Sequence, residues 1–283
     1  MKKLFLVLFV FVLFLGCKSI PEETAPAEPE APVTVEEPAP APEPVPVVAA
    51  STHYNQGREH YTRYEFDQAI AEYNQAIEKD PKMADAYIAK GNVYSGKLKL
   101  EEALDEYTTG AERNSDYDHY AQGYLKFLYE DYNTAVSEFT QAIEQKSNLL
   151  AAYNDRGLAY TNLKKYDLAL ADFNKAIEID PNSAFAYNNR GNVYVLKRNY
   201  DKAIEDYNKA SAIYPDLVFA HSGKAFANQQ KKDYGKAIEE YSRAIELEPE
   251  NATLYTLRGN SYKALKQNDL AEADYAKAEE LKK

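Results

Sequence analysis

Seven alanines, Ala69, Ala103, Ala135, Ala169, Ala203, Ala237 and Ala271, recur every 34 residues with a single interval of 32. No other feature constrains the fold as strongly. A unit of this length holds one supersecondary element that cannot bury its apolar face alone, so its copies must stack on one another. The array takes up roughly residues 50–283, and no second globular domain is expected within it.

When the recurrent glycine is placed at position eight of each unit and the alanine at position twenty, every unit divides into two helices. The first carries aromatics seven residues apart, as in Tyr87 with Tyr94, Tyr153 with Tyr160, Tyr187 with Tyr194 and Tyr255 with Tyr262. That spacing puts each pair on one helical face. Gly57, Gly91, Gly123, Gly157, Gly191 and Gly259, with Ala225 in the sixth unit, mark a point where two helices must approach closely. A mid-helix glycine costs about 0.5–1 kcal/mol against alanine, and a cost repeated six times implies a steric cause. The second helix begins near Asp67, Asp167, Asp201 and Asp269, acids suited to the positive end of a helix dipole. It runs Ala, Ile, two variable residues, Tyr, two more and Ala, an apolar stripe at helical spacing. Pro81, Pro181, Pro215 and Pro249 follow it, where the chain turns into the next unit.

This text is similar to the tetratricopeptide repeat: an aromatic at position four, Gly at eight, Tyr at eleven, Ala at twenty, an aromatic at twenty-four, Ala at twenty-seven and Pro at thirty-two. Tyrosine stands where that family has tryptophan, and the chain contains no Trp. The resemblance implies an all-α, right-handed α-solenoid of seven helix-turn-helix repeats at 50–83, 84–115, 116–149, 150–183, 184–217, 218–251 and 252–283. The third unit departs from the pattern: it starts two residues early and lacks the proline, and Gly110 precedes it. A rotation of its first helix would turn Tyr120 and Phe127 into packing residues.

The amino terminus reads MKKLFLVLFVFVLFLGC, a charged start followed by twelve unbroken apolar residues from Leu4 to Leu15. Twelve residues are too few to span a bilayer as a helix but suit the apolar region of a secretion signal. Phe14-Leu15-Gly16-Cys17 resembles the lipobox of bacterial lipoproteins, with Phe14 in place of the usual leucine. The resemblance implies a signal peptide at residues 1–16 and a lipidated Cys17, acylated by chains such as palmitate, as the mature first residue. Lys18, where an inner-membrane retention aspartate is found in some lipoproteins, points toward the outer membrane of a cell envelope. Residues 17–49 form a Pro/Glu/Ala-rich tether with nine of the thirteen prolines. Such a segment lacks backbone donors and apolar side chains for a core.

Composition narrows the function classes. The 45 acidic residues exceed 33 basic ones, and the basic residues are scattered through every repeat, so nucleic acid is not an expected partner. With Cys17 the single cysteine, the array holds no disulfide or cysteine-based metal site. His53, His60, His119 and His221 stand at position four or eleven, where other units carry tyrosine, and are read as packing residues. No phosphate-binding loop or nucleophile motif stands outside the repeat text, so no enzymatic activity, cofactor or metal is expected.

In proteins with this repeat the first helices line a concave groove through positions two, five, six, nine, twelve and thirteen. Carried onto this chain, the resemblance nominates Tyr117, Tyr120, Tyr124, Asn154, Asn188, Asn189, Asn192 and Phe226 as partner-binding residues, with protein or peptide as partner. The family's charged clamp for terminal carboxylates is missing, because unit five has Asn188 at position five and unit six has Gly223 at six. The expected function is a lipid-anchored envelope scaffold. An assembly factor for an outer-membrane or pilus machine, or an accessory subunit of a transporter, is the alternative. Glu272 and Glu279 occupy positions that are apolar in most earlier units, so the seventh unit is expected to be a polar cap.

Overall fold

The computed structural model describes residues 47–282. The signal peptide, Cys17 and nearly all of the tether lie outside the described residues. Those that are described form fourteen α-helices and no strand. They run in pairs: α1 (Val47–Thr62) with α2 (Phe66–Lys79), α3 (Ala84–Gly96) with α4 (Leu100–Arg113), and α5 (Asp118–Leu128) with α6 (Tyr132–Gln145). The array continues with α7 (Leu150–Asn162), α8 (Tyr166–Ile179), α9 (Ala184–Leu196), α10 (Tyr200–Ile213), α11 (Val218–Gln230), α12 (Tyr234–Leu247), α13 (Ala252–Ala264) and α14 (Asn268–Glu280). Each pair packs on its neighbours, giving the expected all-α solenoid.

The turn inside every pair is built alike. Position fifteen adopts a left-handed conformation in all seven repeats, at Tyr64, Leu98, Glu130, Lys164, Arg198, Lys232 and Lys266, with φ between 58° and 65°. The backbone bonds around it close the first helix in a Schellman arrangement: Lys164 N–H donates to Thr161 C=O at 2.9 Å and Lys165 N–H to Tyr160 C=O at 2.8 Å.

The recurrent glycine has the steric cause the sequence implies. A Cβ on Gly91 would lie 2.5 Å from the Tyr107 ring, closer than any side chain tolerates. The aromatic at position twenty-four therefore packs against the first helix of its repeat, and Tyr73, Tyr107, Phe139, Phe173, Tyr207 and Tyr241 are almost wholly buried.

Repeat three keeps this register, since Gly123 meets Phe139 as the other glycines meet their rings. The two missing residues are taken from the start of its first helix. Helix α5 has 11 residues where α3, α7 and α9 have 13, and a 3-10 turn over Ser115–Tyr117 leads into it. At the far end Glu272 and Glu279 are both exposed, and so are Leu265 and Leu270, so the seventh repeat presents a mixed surface rather than a purely polar one.

Candidate docking face and the bonds that shape it

The first helices carry the nominated residues, and three kinds of bond run among them. One lies inside each repeat. Position twenty-three is a carboxylate in every copy: Glu72, Glu106, Glu138, Asp172, Asp206, Glu240 and Asp274. Each is paired with a cation or imidazole on the first helix of its own repeat. Arg156, Arg190 and Arg258 at position seven hold Asp172, Asp206 and Asp274 through two parallel hydrogen bonds of 2.6–2.9 Å. Where the carboxylate is the longer Glu, the partner is Lys90 for Glu106, His53 for Glu72, His119 for Glu138, and His221 with Lys224 for Glu240. Side-chain reach is thus conserved across the pair: a long guanidinium with a short acid, a lysine or imidazole with a long one.

The same guanidinium also bridges repeats. Arg156 Nη1 donates to Thr140 of repeat three, Arg190 Nη1 to Asn174 of repeat four, and Arg258 Nη1 to Ser242 of repeat six, at 2.7–3.0 Å. Tyr153 and Tyr160 flank Arg156 at 5.7 and 5.9 Å, and Tyr255 and Tyr262 flank Arg258 at 5.7 and 5.8 Å, within cation–π range. The aromatics at positions four and eleven therefore flank a half-buried cation. His53, His119 and His221 are more than packing residues, because each Nδ1 lies within hydrogen-bond distance of the acid, at 2.7–2.8 Å. The recurrent carboxylate was visible in the sequence, but its partner at position seven varies among Arg, Lys and Gln and masks the rule.

A second bond joins position twenty-four to position nine. Tyr107, Tyr207 and Tyr275 donate their hydroxyls to Asn92, Asn192 and Asn260 at 3.0, 2.7 and 2.9 Å. Repeats three and four have Phe139 and Phe173, which lack a hydroxyl, and carry Tyr124 and Leu158 at position nine. Repeat six breaks the rule: Tyr241 faces a repeat with Phe226 at position nine, and its buried hydroxyl has no partner.

The third bond runs between successive first helices, from position five of one repeat to position six of the next. Tyr120 donates to Asp155 at 2.8 Å, and Asn189 donates to Asn154 at 3.0 Å. Asn188 is the following rung, but Gly223 stands opposite it, and the buried Asn188 Oδ1 is left without a partner. Gly223 is there because the Tyr207 ring lies 2.6 Å from where its Cβ would be. Burial pushes the Asp155 carboxyl up to about 6, against the opposing hydrogen bonds from Tyr120 and Asn154.

The nominated residues consequently separate. Tyr117, Tyr120 and Tyr124 are 4%, 0% and 3% exposed, so they are core residues and not an open aromatic patch. Tyr117 bonds Asp85 and Lys146, and Tyr120 and Tyr124 both pack edge-on to Tyr107 with ring centroids 4.8 Å apart. The physical reason is the shortened α5, whose position-five and position-nine rings fill the seam toward repeat two. Asn188 is also buried, and Asn192 accepts from Tyr207. Asn154, Asn189, Asn192 and Phe226 are half-buried on the first helices of repeats four to six.

One contact links repeats that are not neighbours. Tyr64, at the turn of repeat one, stacks on Tyr214 of repeat five with centroids 4.5 Å apart and planes 6° from parallel. Its hydroxyl donates to Asn182 C=O at 2.9 Å and accepts from Ala184 N–H at 2.6 Å. Phe66 and Phe185 complete the cluster, their ring centroids 6.4 Å apart. Tyr61 on the same repeat is pushed up to about 12 by burial and by the nearby carboxylates of Asp180 and Asp155.

Among the described residues no group of His, Cys, Asp and Glu converges on a metal site, and no helix is long and apolar enough to cross a membrane. Models of the tetratricopeptide repeat match residues 150–183, 184–217 and 252–283, and a TPR repeat model matches 57–97 and 229–266. No curated protein matches the chain. Among solved structures, MamA from Desulfovibrio magneticus RS-1 is 20% identical, with 60% of this chain and 96% of that one covered and a TM-score of 0.55. A chain of the APC/C hetero-tetramer Cut9-Hcn1 is 18% identical over 75% of this chain and 42% of its own, with a TM-score of 0.59. YrrB, a TPR protein with an unusual peptide-binding site, is 31% identical over 60% of this chain and 89% of its own, with a TM-score of 0.36. The matched repeats together span more than half of the sequence, and the chain belongs to the tetratricopeptide repeat family.

Proposed function

We propose that this protein is a lipid-anchored, non-enzymatic adaptor of a bacterial cell envelope, held through Cys17, that docks a protein or peptide segment on the inner face of its repeats. The fold is that of an interaction scaffold. The observation that carries the docking face is the row of three half-buried amides and one aromatic, Asn154, Asn189, Asn192 and Phe226, on adjacent first helices. Amides both donate to and accept from an extended backbone, and aromatic faces hold apolar side chains. Support for the anchor comes from the apolar run ending at Phe14-Leu15-Gly16-Cys17. Several acyl chains give firm attachment, because each buried methylene contributes about 0.8 kcal/mol.

Two measurements test the two halves. Growth with an alkyne fatty acid should label the native chain and not Cys17→Ser, and that variant should leave the membrane fraction. Affinity capture from detergent-solubilised envelopes should recover partners that an Asn189→Ala/Phe226→Ala variant loses while keeping its helical circular dichroism. Unaltered capture by that variant would move the docking site off the inner face.

A further inference from the structure

The aromatic cluster between repeats one and five is not something the repeat pattern requires. Position fifteen is Leu98, Glu130, Lys164, Arg198, Lys232 and Lys266 elsewhere, and only repeat one has a tyrosine there. Position thirty-one is Asp80, Asn114, Lys146, Asp180 and Glu248 in other repeats, and Tyr214 in repeat five. Nearest-neighbour stacking therefore explains neither ring. What both serve is each other: a flat stack, closed at the side by Phe185 and resting on the buried cluster of Ala184, Ala210, Leu217 and Ala220.

The contact has the form of ligand recognition. The Tyr64 hydroxyl is read by main-chain groups at the head of α9, one accepting and one donating, so only a side chain that is both donor and acceptor satisfies the pair. Phe66 then lies against Phe185, and a Cβ on Gly96 would come within 3.3 Å of that same ring. All four rings are half-buried, and Tyr64 sits at the turn of repeat one, where few neighbours hold it.

We propose that the slot formed by Phe185, Tyr214 and the backbone of Asn182 and Ala184 is a docking site for a peptide segment that presents a tyrosine and a phenylalanine two residues apart, and that the chain's own Tyr64-Glu65-Phe66 occupies it at rest. A partner segment of this chemistry displaces repeat one from repeat five. The site is separate from the inner-face amides and does not depend on lipid attachment.

The test uses the full chain and a synthetic peptide with the sequence from Thr62 to Gln68. Tyr64→Ala/Phe66→Ala empties the slot, and titration by calorimetry or by NMR shift mapping should show the peptide binding this variant at least about tenfold more tightly than the wild type. Replacing the peptide's tyrosine by phenylalanine should weaken binding by about tenfold through two lost hydrogen bonds. Adding Phe185→Ala and Tyr214→Ala to the emptied variant should abolish binding while circular dichroism shows the helices intact. Equal affinity for wild type and emptied variant, or no binding to an emptied variant that remains folded, overturns the proposal and leaves the contact as a passive result of curvature.

Discussion

The Tyr207 hydroxyl donates to Asn192 Oδ1 at 2.7 Å, and this bond explains why asparagine recurs at position nine. Its logic can be tested in both directions. Asn192→Ala leaves a buried phenol without an acceptor and should destabilise the array by about 1–3 kcal/mol. Tyr241→Phe removes a hydroxyl that already lacks a partner, so it should be neutral or stabilising by up to about 1 kcal/mol. Urea denaturation of the two variants should move the midpoint in opposite senses, or move it only for Asn192→Ala.

Arg190 is a joint between two repeats and between two helices. It grips Asp206 in its own repeat and Asn174 in the one before. Arg190→Met strands the buried Asp206 carboxylate and should cost about 3 kcal/mol, whereas Arg190→Met with Asp206→Leu should recover most of that. Arg190→Lys keeps the charge, loses the parallel pair and should lie between them. Thermal unfolding of the three variants makes the comparison.

Asp155 supplies a pH dependence of definite sign. Its carboxyl is pushed from 3.8 up to about 6 by burial. The folded chain therefore binds a proton more tightly than the unfolded chain does. Stability is greatest below the unfolded value, falls as pH rises between the two, and is flat above. Asp155→Asn keeps an acceptor for Tyr120 and avoids the buried charge. Its melting temperature should exceed the wild type's at pH 7, by an amount corresponding to about 2–3 kcal/mol, and the gap should close as pH falls toward 4.

The end of the array is a further point of measurement. Helix α14 has a neighbour on one side only, and Glu272 and Glu279 face water. Deuterium exchange should be faster there than in α8 or α10, which are packed on both sides. Leu265→Gln and Leu270→Gln remove exposed apolar surface and should leave the exchange pattern unchanged.

The sequence displayed the stacking directly, because alanine and glycine recur wherever helices touch and their spacing alone sets the helix pairs. Aromatic packing was legible for the same reason. The bonding rules were less visible, since each is a pair in which both members vary together: Arg with Asp, Lys or His with Glu, Tyr with Asn. A single position then looks degenerate. The fate of Tyr120 and Tyr124 was hidden because the two deleted residues could have rotated α5; they shorten it instead and draw the rings inward. The contact of Tyr64 with Tyr214 had no signal within any one repeat, because the two residues are distant in sequence and meet only once the stack has curved.

The fold-back of repeat one onto repeat five joins repeats distant in the stack. A double-mutant cycle on Tyr64→Ala and Tyr214→Ala in the full chain, read by urea denaturation, measures it most directly. A coupling energy of about 1 kcal/mol or more is predicted for stacked rings. Effects that add to within about 0.3 kcal/mol would contradict it, because independent residues do not touch.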